Sequence, residues 1–173
     1  GETVTVNEAV KNFNYISIEY PSTVYLKQGD VESLTIVGDN DRVKYVSASV
    51  EGNKLLIKDN RNWIERIFTV ANSLTFYITV KNLDAIHCSG FHDFFITTPL
   101  SLNSLSIDLS GSGKFEFQSP LTILNTLDIQ CYGDQTISAN KVYAKNVKLQ
   151  IYGVNKVSFL DGGTNSQDIS ITA

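Results

Sequence analysis

The chain has 173 residues, 42% of them apolar and 18% charged, with a formal net charge of −4. That composition supports a packed core and excludes wholesale disorder. The acidic balance argues against a nucleic-acid or anionic-membrane partner, since both reward a basic face, and no apolar run approaches the roughly 20 residues of a membrane helix.

No methionine occurs, so the initiator is missing. The opening GETVTV fits a chain cut behind a removed signal, which points to export. The first half, residues 1–82, alternates in short stretches. Ile16, Ile18, Val24, Tyr25, Leu26, Leu34, Ile36 and Val37 mark strands, and residues 27–30 (KQGD) and 38–41 (GDND) are turn clusters. Residues 50–55 (VEGNKL) read as a hairpin with a Gly-Asn turn. These elements are expected to form the wider, irregular first coils of the fold, with no linker.

Residues 59–72 (DNRNWIERIFTVAN) break the alternation. Trp63, Ile64, Ile67 and Phe68 recur at helical spacing behind Asn60 or Asn62 as N-cap, which predicts a short helical insert at about 60–70. The stripe is expected to pack on the sheet or cover an open edge, favoured about four to one over a ligand lip carrying Trp63.

Residues 83–173 repeat. The segments LDAIHCSGFHDFFI, LSIDLSGSGKFEF, LDIQCYGDQTISA and VKLQIYGVNKVSF align on Gly90, Gly111, Gly133 and Gly153. Two positions before the glycine stand Cys88, Leu109, Cys131 and Ile151; four before, Ile86, Ile107, Ile129 and Leu149. Four after stand Phe94, Phe115, Ile137 and Val157; six after, Ile96, Phe117, Ala139 and Phe159. All sixteen are apolar and fall on the period-2 face of two short strands that meet at the glycine. Glycine supplies backbone angles that a residue with a Cβ resists. Pro99 and Pro120 mark a second bend, with Leu100, Leu102, Leu121 and Ile123 forming a third wall. The pattern predicts an all-β fold over residues 1–173: a single domain that is a right-handed parallel β-helix, a three-sided solenoid with coils of about 21 residues. An antiparallel sandwich is the rival. Cys88 and Cys131 share an inward column two coils apart, about 9.6 Å, beyond the ~7 Å reach of a disulfide, and are expected free.

The corner pattern, the SGSG knot at 110–113, VYLKQGD at 24–30 and NKLLIKD at 53–59 resemble the head GIN domain family, bacterial domains named as auto-transporter adhesins. The resemblance runs from about residue 13 to the end. It implies a right-handed β-helix-like fold, export to the periplasm, outer membrane or cell surface, often a lipid-anchored precursor, and no catalytic residues. The later corners depart from the knot at Tyr132-Gly133-Asp134 and Tyr152-Gly153-Val154.

Candidate chemistry is sparse. His87, Asp108 and Asp128 project outward and form a conceivable acid–base group, but a solvated polar wall is favoured about nine to one. His87, Cys88 and His92 cannot converge on a metal, because Cys88 points inward and His87 outward. No nucleophile elbow or full phosphate loop occurs. Tyr132 and Tyr152 stack outward on adjacent coils and could contact a ligand. The residues to watch are therefore Tyr132, Tyr152, Trp63, His87, Asp108 and Asp128, with no metal and no cofactor. The expected role is a non-catalytic binding or adhesion domain that offers a flat wall to a glycan or protein. A carbohydrate-active enzyme and a structural module assembling through its ends are the alternatives. Residues 168–173 (DISITA) begin a coil without completing it, so a homodimer through the C-terminal end is a further expectation.

Overall fold

A computed structural model describes residues 1–70, 72–159 and 168–172, without the side chains of Val154, Phe159 and 168–172. In chain order the elements are β1 (Thr3–Glu8), β2 (Tyr15–Glu19), β3 (Ser22–Gln28), β4 (Ser33–Asp39), α1 (Asn40–Val43), β5 (Val46–Glu51), β6 (Lys54–Asp59) and α2 (Trp63–Phe68). There follow β7 (Leu74–Val80), β8 (Ala85–Cys88), β9 (Phe91–Ile96), β10 (Leu100–Leu102), β11 (Leu105–Leu109) and β12 (Ser112–Phe117). Two long bent strands, β13 (Leu121–Ala139) and β14 (Val142–Phe159), and then β15 (Asp168–Thr172) complete the described chain.

The architecture corrects the expected right-handed parallel β-helix. All strands belong to one mixed sheet, and twelve of them follow a single path, β1-β4-β7-β3-β9-β12-β13-β11-β8-β2-β6-β5, that curls into a nearly closed barrel. Both ends of that path are antiparallel: β1 against β4, β4 against β7, and β5 against β6. Short connections account for the reversal of β6 after β5 and of β4 after β3. A parallel pair needs a crossover of about a dozen residues or more, whereas two residues suffice to reverse a chain. Only Gly52 and Asn53 separate β5 from β6, with Gly52 at φ 62°, so a hairpin is the available solution. Residues 29–32 reverse the chain between β3 and β4, and β7 inserts between them, parallel to β3 and antiparallel to β4. The first half is therefore mixed: β5 and β6 form a hairpin and β4 runs antiparallel to β1 and β7, while β2 and β3 stand in parallel ladders with β6, β8, β7 and β9.

The repeat columns themselves are present. Ile86, Ile107, Ile129 and Leu149 lie in parallel register, as do Cys88, Leu109, Cys131 and Ile151. Ile16 and Ile18 of β2 join them from the first half. Phe94, Phe115, Ile137 and Val157 form a third column, extended by Val24 and Phe76. The Phe94 and Phe115 rings stack at 4.5 Å, both fully buried. Leu100, Leu121 and Val142 register in the third wall. Cys88 and Cys131 are free and buried, one ladder step either side of Leu109. Burial, with a contribution from Asp108, pushes the Cys131 thiol up to about 11, and the same causes raise Cys88 further.

The corner glycines do more than turn the chain. Gly90, Gly111, Gly133 and Gly153 have φ of 78°, 88°, 93° and 99°. A Cβ on Gly111 would collide with the Gly90 carbonyl, one on Gly133 with the Gly111 carbonyl, and one on Gly153 with the Gly133 carbonyl; at Gly90 it would meet nothing. The corners are thus packed backbone on backbone.

Two residues past each corner lies a fifth inward column, and it is polar: His92, Gly113, Gln135 and Asn155 in register. Gln135 and Asn155 donate to the carbonyls of Tyr132 and Tyr152 at 3.4 and 2.8 Å. Gly113 has no side chain, so the buried His92 ring reaches past it, and Nε2–H donates to Gln135 Oε1 at 2.9 Å while Nδ1 lies 3.2 Å from the Gly90 carbonyl. Gln135 and Asn155 thus each give a corner carbonyl a side-chain donor. Burial lowers the His92 pKa against the opposing pull of Gln135, the Gly90 carbonyl and Asp93.

The glycine column predicts an ordering. Gly90→Ala should lose about 1–2 kcal/mol for its backbone angle alone, whereas Gly111→Ala and Gly133→Ala should lose clearly more, because a carbonyl must also move. Denaturant midpoints of the three variants test it; equal losses would leave backbone angle as the whole explanation. For His92, the unfolded chain takes up a proton near pH 6.5 that the folded chain resists, so stability should fall as pH drops from about 6.5 through the lowered folded value. His92→Gln should flatten the slope just below about pH 6.5, and an unchanged slope would place its source elsewhere.

Candidate functional site

The outward face of β7, β3 and β9 carries the most developed surface feature. Each strand holds the same triplet, an inward residue, an aromatic and an inward residue: Phe76-Tyr77-Ile78, Val24-Tyr25-Leu26 and Phe94-Phe95-Ile96. Parallel register puts Tyr77, Tyr25 and Phe95 side by side. Their rings stack, Tyr77 on Tyr25 at 5.3 Å and 17°, Tyr25 on Phe95 at 5.4 Å and 22°. Lys114 Nζ closes the row 5.7 Å from the Phe95 ring. Such stacking contributes about 0.5–1.5 kcal/mol per pair beyond burial and holds the rings as a rigid strip.

Antiparallel β4 flanks the strip, setting Thr35 beside Tyr77 and Ser33 beside Thr79. The result is a cleft of about 360 Å³ lined by Tyr25, Tyr77, Lys27, Ser33, Thr35, Thr79 and Thr97. Tyr77 is 47% exposed, Lys27 and Thr97 are exposed, and Tyr25 is half-buried. An apolar strip edged by hydroxyls and one ammonium group suits a ligand with an apolar face and a polar rim.

The sequence-derived candidates lie elsewhere. Tyr132 and Tyr152 stack at 5.1 Å and 7°, 41% and 42% exposed, as a separate two-ring strip at the corners. His87 Nδ1 lies 3.3 Å from Asp108 Oδ2 on the neighbouring strand. Asp128 does not join them: it registers between Ser106 and Lys148, two positions away from the partner of Asp108. Register also sets Ser17 beside His87, giving the order Ser17, His87, Asp108 across β2, β8 and β11. A serine nucleophile needs a hydrogen bond to its base and an oxyanion pocket. No hydrogen bond joins Ser17 to His87 among the described residues. β2 is paired on both edges, so its backbone donors are taken by the ladders. Among the described residues no group of three His, Cys, Asp or Glu side chains could hold a metal ion.

Trp63 overturns the packing expectation. α2 buries none of its residues; Trp63, Ile64, Ile67 and Phe68 are 71%, 48%, 65% and 82% exposed. Asn62 is the N-cap, in a reciprocal capping box with Glu65. Sequence reasoning missed Tyr77 and Phe95 and took Tyr25 only as a strand residue. The available signal was the repeated apolar-aromatic-apolar triplet, hidden because two copies lie outside the glycine repeat.

Three crystal structures share this fold. A putative adhesin from Parabacteroides distasonis aligns over 91% of this chain with 17% identity and a TM-score of 0.75. A putative lipid binding protein from the same species aligns over 99% with 15% identity and the same score, and a putative adhesin from Bacteroides fragilis over 99% with 16% identity and a score of 0.56. The chain spans 64% of the first, 78% of the second and 97% of the third. At such identity the likeness concerns the fold alone. No curated protein matches the chain. No helix among the described residues is long and apolar enough to cross a membrane. A family model described as "Putative auto-transporter adhesin, head GIN domain" matches residues 12–122, well over half the sequence, and the chain belongs to that family.

Proposed function

We propose that this is a non-catalytic, exported adhesion-type domain, and that it takes a glycan on the aromatic strip of β7, β3 and β9. The observation that carries the reading is the cleft in which two stacked tyrosines meet a rim of hydroxyls and Lys27. Sugars present apolar C–H faces and hydroxyl edges, so flat rings take the face and Ser33, Thr35 and Thr97 take the edges. A cleft of about 360 Å³ lies at the small end of ligand sites and fits one or two sugar units. Among the described lining residues Lys27 alone is charged, which favours a carboxylated or sulfated unit. The rings are already held by stacking and the strands by ladders on both sides, so little ordering entropy is lost on binding. Family membership and the adhesin names of the similar structures support a binding role.

Glycan-array screening followed by calorimetry tests the proposal. An acidic oligosaccharide should emerge, with Tyr25→Ala and Tyr77→Ala each weakening it about tenfold or more and Tyr132→Ala leaving it unchanged. Binding insensitive to both strip variants would remove the cleft from consideration. Turnover of a polysaccharide that disappears in Asp108→Asn would replace the proposal with an enzyme.

A further inference from the structure

Eleven large apolar side chains of the described structure are prominently exposed, and five of them fall within eight residues: Trp63, Ile64, Ile67, Phe68 and Val70. We infer that this segment, residues 63–70, is a wedge that docks on the surface of a phospholipid bilayer. The inference is independent of the glycan reading, since it uses no residue of the aromatic cleft.

The exposure is built in. At about 100° per residue, Trp63, Ile67, Ile64 and Phe68 span an arc of about 140°, and Glu65 and Arg66 occupy the opposite side. That polar side is tied to the body. Arg66 donates from its guanidinium to the carbonyls of Arg61 and Asp59 at 3.1 and 3.3 Å. Arg61 grips the Asp59 carboxylate with three contacts of 2.6–3.2 Å and also donates to the Thr69 carbonyl. Asn60 donates to the carbonyls of Tyr45 and Lys44. With base and start so fixed, the apolar arc points away from the protein.

Side-chain chemistry selects lipid over protein. Tryptophan and phenylalanine beside arginine and lysine are the signature of a helix lying in a membrane interface, where rings sit at headgroup depth and cations meet phosphates. The cations here are Arg66, half exposed, and the exposed Lys44 and Lys58. The two carboxylates of the segment are occupied, Asp59 by Arg61 and Glu65 by the Asn62 backbone N–H. Although the chain carries −4 overall, residues 58–66 set three basic residues (Lys58, Arg61, Arg66) against two acidic ones (Asp59, Glu65). A second protein is the poorer match, because a standard interface takes about 20–30 residues a side and this convex turn offers five.

Trp63 is the only tryptophan and therefore a built-in reporter. The full chain is titrated with vesicles of phosphatidylcholine, alone and mixed with phosphatidylglycerol. Trp63 emission should shift to the blue with both and be quenched by lipids brominated in the upper acyl chain. Partitioning should be tighter on the mixed vesicles and should fall about tenfold or more in Phe68→Asp. Phe68 is 82% exposed, so the variant should keep its fold, which circular dichroism checks. Absence of a shift with either vesicle, or partitioning unchanged in both Phe68→Asp and Ile67→Asp, overturns the inference. So does a blue shift that grows with protein concentration in the absence of lipid, which would assign the wedge to a second copy. Glycan binding measured on the same variants should be unaffected, so the failure of either reading is seen separately.

Discussion

The contact on which the rest of the molecule depends is the stacking of corner glycines, in which Gly111, Gly133 and Gly153 each leave the place of a Cβ to the carbonyl of the glycine one repeat earlier. No other residue permits that approach, because a Cβ would occupy the space of the oxygen. The contact fixes register. A slip of one residue would put a side chain on the carbonyl and send every inward residue to the outer face. Leu109 therefore sits between Cys88 and Cys131, and Phe115 lands on Phe94, by a constraint at the corner and not through any choice among the apolar side chains.

The same constraint makes the outer face informative. Once inward columns are locked, outward positions are locked as well, and side chains of equal type form rows. The Tyr77–Tyr25–Phe95 strip is such a row, and so is the Tyr132–Tyr152 pair. The two differ in what flanks them. Antiparallel β4 runs beside Tyr77 and adds a hydroxyl rim, which turns a flat strip into a cleft. The tyrosines at the corners have Gly133 and Gly153 as their next residues and acquire no such wall. Most of the lining of this cleft thus comes from strands outside the regular repeat.

What the sequence disclosed follows this division. The sixteen-residue apolar pattern placed the columns and the free thiols, since identical spacing is visible wherever a repeat exists. The polar column of His92, Gln135 and Asn155 was overlooked because its Gly113 member has no side chain and breaks the pattern, although that gap is what lets His92 reach Gln135. The mixed sheet was missed for another reason. Gly52-Asn53 read correctly as a hairpin turn, but the downstream period was then extended over β3, β4 and β5, where connections of two to six residues leave no room for parallel crossovers. The strip was unreadable without knowing that β7 inserts between β3 and β4, a pairing across about 50 residues that no local signal announces.

The exposed apolar turn requires a base strong enough to hold it against collapse onto the sheet, and the charges around Asp59 supply one. Burial works against the carboxylate, but hydrogen bonds from Arg61 and the charges of Arg61 and Arg66 outweigh it and hold the Asp59 pKa below its ordinary value. Arg61 is raised in turn, first by its hydrogen bond to Asp59. A carboxyl group with a lowered folded pKa contributes stability above its unfolded value, near pH 4, and loses it only as pH falls through the folded value. The base is therefore fully ionised at every pH from mildly acidic upward. The Asp59 and Arg61 side chains are only 9% and 10% exposed, so salt screens their pairing less than it would at the surface. The base under Trp63 and Phe68 is thus an ion pair that stays charged across the neutral range and is screened less than a surface pair.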